Sequence, residues 1–121
     1  MIGAGAFGKN HVRVIHQSEH AELSGILDPN PQRAEDAQKA HGCRVFSSLD
    51  ELIANSDAAV VATPTITHAE IGCALMNRGL DVLIEKPIAH TVEAGRALVE
   101  TAARNERILQ IGRAPSELQS H

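Results

Sequence analysis

Residues 1–11 read MIGAGAFGKNH, and within them Gly3-Ala4-Gly5-Ala6-Phe7-Gly8 fits the pattern G-x-G-x-x-G. Such a pattern ordinarily closes a β-strand and opens a helix. Met1 and Ile2 alone stand before the first glycine, while residues 8–18 carry a helical pattern. Three glycines by themselves define a turn, so their meaning depends on the chain around them.

Downstream, short apolar runs alternate with amphipathic stretches. AELSGILD (21–28) reads as a strand ending at Asp28. Asn30 then caps a helix that has Pro31 in its first position and runs to about residue 41. CRVF (43–46) is a short strand. Ser48 and Glu51 form an S-x-x-E capping box for a brief helix. DAAVVAT (57–63) is a continuous apolar run, the signature of a strand buried on both faces of a parallel sheet. Thr67 and Glu70 form a second capping box, for a helix that Gly79 ends. DVLIE (81–85) is another buried strand, residues 91–105 a helix, and RILQIG (107–112) a final strand. Repeated β-α alternation with short connections predicts a parallel sheet with helices on both faces. The expected fold is therefore α/β: a Rossmann-type doubly wound sheet of order 3-2-1-4-5-6, with five helices and a truncated first strand. Residues 1–112 form the domain and 113–121 a polar tail.

Composition narrows the function. The chain has 121 residues, enough for one domain with a real core. Its net charge is −4 without a run of one sign, which supplies no basic face for nucleic acid. No apolar run approaches the ~20 residues of a membrane span, and no secretion signal opens the chain. Cys43 and Cys73 are far apart, lack metal-ligand spacing and suit small packed hydrophobes. Nothing calls for an oxidising compartment, which makes a cytoplasmic location the default. Of seven histidines, His16 and His20 are spaced i, i+4, but no carboxylate or thiol completes a ligand set, and no metal site is expected.

The surroundings of the glycines give them chemistry. Asp28 lies twenty residues beyond Gly8 at the end of the next strand, where a dinucleotide fingerprint places its acid. Gly3 permits the tight turn, Gly5 lets the backbone approach a pyrophosphate, and Gly8 lets helix and strand pack closely. The helix N-terminus offers N–H groups and partial positive charge to phosphates, and Asp28 can accept bonds from ribose hydroxyls. The bland alternative is a structural turn beside a surface Asp. A carboxylate facing a 2′-phosphate costs on the order of a few kcal/mol, which favours NAD over NADP. Arg13 and Arg33 offset that cost if they reach the site.

The crevice of a 3-2-1-4-5-6 sheet lies at the carboxyl ends of its first and fourth strands. Thr63, Pro64 and Thr65 end the fourth; a turn at Pro64 also has a purely structural explanation. His68 reads more readily as a surface residue at a helix start. VLIEKP (82–87) ends the fifth strand beside the same crevice. There Lys86, partly desolvated and oriented by Glu85, can bond a substrate hydroxyl or carbonyl and move its proton; the alternative is a solvated lysine before a turn proline.

Together, IGAGAFGKNH, DPNPQRA, ATPTITHAEI, VLIEKPIA and RILQIG resemble the N-terminal domain of the Gfo/Idh/MocA oxidoreductases. The resemblance spans about residues 2–112, and the EKP after a strand is its most telling part, because other G-x-G-x-x-G folds such as methyltransferases lack it. It implies an NAD(P)-binding Rossmann domain. The cofactor contacts it implies are Gly3, Gly5, Ala6, Phe7, Gly8, Asp28, Pro29, Thr63, Pro64, Thr65, His68, Glu85, Lys86 and Pro87, with Lys86 also catalytic. The implied substrates are sugars or cyclitols, oxidised at a hydroxyl or reduced at the matching carbonyl.

Two departures qualify that resemblance. The given sequence ends before the position of the family's second α/β domain, which completes the substrate pocket, and RAPSELQSH fits poorly what the family carries after QIG. The strand before Gly3 is also short, which predicts a fragment or a start at an internal Met. The expected chain therefore binds dinucleotide and acts on substrate only with a second domain; the surface that domain would cover, if exposed, can drive dimerisation or aggregation, and the sequence does not fix the oligomeric state. The alternatives are a non-catalytic NAD(H)-binding module and a non-functional remnant.

Overall fold

Ile2 is paired on both sides. Its N–H donates to the Val60 carbonyl (2.8 Å), its own carbonyl accepts from the Ala62 N–H (2.8 Å), and the Gly3 N–H donates to the Leu27 carbonyl (2.9 Å). Parallel bridges thus join Ile2 to Leu27 and to Val61. The computed structural model describes residues 2–3 and 22–112. Gly5, Ala6, Phe7, Gly8, the helix expected over 8–18, Arg13, His16, His20 and the tail 113–121 lie outside the described residues.

In chain order the described elements are α1 (Pro31–His41), α2 (Leu49–Ala54), β1 (Ala58–Val61), α3 (His68–Asn77), β2 (Asp81–Glu85), α4 (Val92–Asn105) and β3 (Leu109–Gly112). A 3-10 turn over Thr65–Thr67 leads into α3. The three strands form a parallel sheet in the order β1-β2-β3, with Val61 beside Ile84 and Ile84 beside Ile111. Single parallel bridges continue the order: Val61 to Ile2, Ile2 to Leu27, and Ile26 to Val45. The sequence of neighbours is the expected 3-2-1-4-5-6.

The stretches 21–28 and 43–46 are corrected from full strands to bridges. Gly3 has φ of 89°, outside the extended region, so the chain turns away after Ile2. Among the described residues, Ile2 alone of this segment bridges to a neighbour on each side. Asp28 bends the next segment away as its carboxylate accepts the Asn30 N–H (2.8 Å).

Most helix starts follow their sequence signals. The Asn30 side chain accepts from the N–H groups of Gln32 and Arg33, and Pro31 sits in the first turn of α1. The Ser48 hydroxyl accepts from Glu51 N–H, while the Glu51 carboxylate reaches back to Ser47 instead of Ser48. The capping box expected at Thr67 and Glu70 does not form. The 3-10 turn runs straight into α3 and already bonds the Thr67 N–H to the Pro64 carbonyl (2.9 Å). The Thr67 hydroxyl turns back to the same carbonyl (2.6 Å).

The strands alternate between two cores, as the period of two requires. Ala59, Val61, Val82 and Ile84 face a cluster with Leu52, Leu75, Met76 and Leu98 from α2, α3 and α4. Val60 and Ala62 pack against the opposite cluster of Ile26, Ala34, Ala37 and Cys43, which α1 covers. Helices therefore lie on both faces of one parallel sheet, which leaves the carboxyl ends of the strands open to a ligand.

Candidate dinucleotide site

Gly3 begins the site. A Cβ there would lie 2.5 Å from the Ala62 carbonyl oxygen, and φ of 89° strains any L side chain. Glycine is thus required where the chain leaves the Ile2 pairing and crosses the end of β1.

The carboxyl ends of the strands converge on a cleft of about 780 Å³, lined among others by Asp28, Pro29, Thr63, Pro64, Thr67 and Ile71. Its walls are mainly apolar, with two carboxylates, Asp28 and Glu35, among the lining. That donor set fits the adenosine half of a dinucleotide: prolines and Ile71 for a flat ring system, and Asp28 as acceptor for ribose hydroxyls. A second cavity of about 670 Å³ opens at the amino ends of the strands, beside Glu22, Asp57 and Asp81. Ligands of open α/β sheets bind outside the carboxyl ends, so the first cleft is the candidate site.

The structure brings together Gly3, Asp28, Pro29, Thr63, Pro64 and Thr65 at one end of the sheet. Glu85, Lys86 and Pro87 lie at the end of the neighbouring strand, because β1 and β2 are parallel and in register from Ala58–Asp81 to Val61–Ile84. The Lys86 N–H donates to the Gly112 carbonyl (2.9 Å), and the Lys86–Pro87 peptide is cis. Glu85 is half-buried, whereas Lys86 is exposed. Arg33, in the first turn of α1, is also exposed.

His68 corrects its expected place on the surface. It is 1% exposed at the first position of α3. Its Nε2 lies 2.9 Å from the Thr63 carbonyl oxygen, and its Nδ1 lies 3.0 and 3.2 Å from the Pro87 and Ile88 carbonyl oxygens. Both ring nitrogens are engaged by backbone.

The sequence reading passed over Thr67 and Ile71, which also line the cleft. Thr67 had a detectable signal: a hydroxyl three residues after a proline, suited to closing a turn on its carbonyl. Its Oγ1 also bonds Thr63 Oγ1 (2.7 Å), fixing the cleft edge. Ile71 follows at i+4, on the same helical face.

Outside the cleft, burial pushes the Cys43 thiol up from its ordinary value. The Glu51 carboxyl is held down, first by the Ser47 hydroxyl and N–H and then by nearby Arg44. Among the described residues, no group of three or more His, Cys, Asp or Glu is placed to hold a metal ion. Nor is any described helix long and apolar enough to cross a membrane.

A doubly wound parallel sheet with a glycine crossing, a strand-end acid and an open carboxyl-end crevice defines a nucleotide-binding Rossmann domain. Residues 1–113 match the model of an oxidoreductase family with an NAD-binding Rossmann fold, and the chain belongs to this Gfo/Idh/MocA family. It is 35% identical over 111 residues to UDP-N-acetylglucosamine 3-dehydrogenase of Acidithiobacillus ferrooxidans, covering 89% of this chain and 36% of that protein. It is 33% identical over 114 residues to inositol 2-dehydrogenase of Rhizobium meliloti, covering 93% of this chain and 34% of that protein. The WlbA dehydrogenase from Bordetella pertussis, solved in complex with NADH and UDP-GlcNAcA, has a similar structure. Its TM-score is 0.86 at 35% identity, over 92% of this chain and 33% of that one. The chain thus spans about a third of the length of these relatives.

Proposed function

We propose that the chain is the cofactor-binding part of a dehydrogenase that oxidises a sugar or cyclitol hydroxyl, or reduces the matching carbonyl, with NAD preferred to NADP. The observation that carries this reading is the placement of Asp28, Thr63–Pro64 and Lys86 at the carboxyl ends of neighbouring parallel strands. Similarity to dehydrogenases of UDP-N-acetylglucosamine and inositol supports the substrate class.

In this reading Asp28 accepts the ribose hydroxyls, and Gly3, Gly5, Ala6, Phe7 and Gly8 contact the cofactor. Pro29, Thr63, Pro64 and Thr65 wall the cleft. When bound, the dinucleotide supplies the hydride acceptor or donor. Lys86 is the catalytic residue: in the oxidation its neutral amine takes the hydroxyl proton and becomes the ammonium, and in the reduction the ammonium gives that proton to the carbonyl oxygen and becomes the amine. Glu85 and Pro87 fix the lysine at the crevice mouth. Substrate positioning requires surfaces beyond these residues, so the segment alone binds cofactor and does not turn over.

The test is thermal unfolding by far-UV circular dichroism with and without NAD⁺ or NADP⁺; the absence of Trp and Tyr does not affect it. Ligand at about 100 times Kd adds ~2.7 kcal/mol, a shift of several degrees for a domain this size. A cooperative melt raised more by NAD⁺ than by NADP⁺ supports the reading. A melt that neither cofactor moves overturns it.

A further inference from the structure

The buried ring of His68 lies between the two turns that wall the crevice. One turn follows β1 and contains Thr63, Pro64 and Thr65; the other follows β2 and contains Lys86, Pro87 and Ile88. They are 19 to 20 residues from His68 on one side and five on the other, and the ring reaches carbonyl oxygens of both at 2.9 to 3.2 Å. We infer that His68 is a positioning residue: it holds the turn that carries Lys86 at a fixed distance from the end of β1. The inference rests on the proposed role of Lys86 and deepens it.

The geometry is specific to a residue with two polar atoms on opposite sides of a rigid ring. Lys86 is anchored through its own N–H to Gly112 on β3. The carbonyl of the next residue, Pro87, meets the His68 Nδ1. The backbone of the lysine is thus held from both directions, and its side chain extends from a fixed base. The imidazolium donates to both turns at once and a neutral ring to one of them. An apolar residue of the same volume preserves the packing under α3 and leaves the buried carbonyls of Thr63 and Pro87 without this partner, a loss distinct from lost volume. Because both nitrogens are taken by the backbone, His68 acts on a ligand through these turns.

The test compares the unmodified chain with H68F, which fills the volume and donates nothing, and H68Q, which keeps an amide donor. Each is treated with an amine-acylating reagent with and without saturating NAD⁺, and labelling of Lys86 is read by peptide mass spectrometry. Unfolding is followed in parallel. In the unmodified chain NAD⁺ protects Lys86. In H68F that protection falls about tenfold at saturation, the factor that one lost hydrogen bond carries, and H68Q restores part of it. A purely structural role lowers the melting temperature of both variants and leaves Lys86 protected at saturation, which overturns the inference. If H68F does not fold, H68Q decides: reduced protection on a cooperative melt supports the inference, and full protection overturns it. Absence of protection in the unmodified chain shows that the proposed site itself is wrong, and the inference falls with it.

Discussion

Gly3 and Ala62 approach so closely that a Cβ on residue 3 would stand 2.5 Å from the Ala62 carbonyl oxygen. The obstacle is backbone already held in the sheet, since the Ala62 N–H donates to the Ile2 carbonyl. It cannot move without breaking that pairing. G3A therefore combines left-handed strain with a backbone clash, for a loss of at least about 2 kcal/mol. Chemical denaturation will show a lower midpoint, and the variant will lose the melting shift with NAD⁺.

Asp28 sits at the cleft rim and its carboxylate accepts the Asn30 N–H at 2.8 Å. D28N keeps an oxygen acceptor for that turn and removes the charge. NAD⁺ affinity is expected to fall about tenfold, because hydrogen bonds to a charged acceptor are worth about 1.5–3 kcal/mol. NADP⁺ affinity will rise, since the repulsion toward a 2′-phosphate disappears. Calorimetric titration with both cofactors checks the pair of changes; equal losses for both would show that Asp28 does not face the ribose.

Glu51 accepts from the Ser47 hydroxyl (2.6 Å) and N–H (3.1 Å), which lowers its carboxyl below the ordinary 4.5. For a depressed acid, stability is present above the unfolded value and lost as pH falls through the folded one. The melting temperatures of the unmodified chain and E51Q will therefore differ above about pH 5 and converge in strong acid. A constant gap across that range would show that the Ser47 contacts do not favour the charged form.

Cys43 is buried, its thiol raised by desolvation, whereas Cys73 is half-buried. The thiolate is the reactive species. Iodoacetamide at pH 8 is expected to label Cys73 first, with Cys43 reacting only as the chain unfolds. Peptide mapping over time gives the order.

Much of the architecture is local and therefore legible in sequence. Asn30 before Pro31 and Thr91 before α4 cap their helices through their own side chains, a choice made within three residues. DVLIE forms β2 over Asp81–Glu85, with Val82 and Ile84 buried on one face and Leu83 half-buried on the other. The acid at Asp28, the turn at Thr63–Pro64 and the lysine at Lys86 follow from strand ends, and so their common side of the sheet could be read as well.

Relations between distant segments lay beyond the sequence. Whether 21–28 and 43–46 pair as ladders or as single bridges is decided between segments distant in sequence, and among the described residues Ile2–Leu27 and Ile26–Val45 are single bridges. Thr67 and Glu70 have the letters of a capping box, but a preceding 3-10 turn satisfies the backbone first. His68 looked like a surface residue because, of the carbonyls that meet its ring, only that of Thr63 is near it in sequence. Its partners, Pro87 and Ile88, arrive 19 and 20 residues later on the next strand's turn. Sequence pattern set the elements, their order and the strand-end chemistry, since these depend on local backbone preference and on periodicity. Folding alone decided which carbonyls meet the His68 ring, because hydrogen bonds are satisfied by whatever tertiary packing brings within 3 Å.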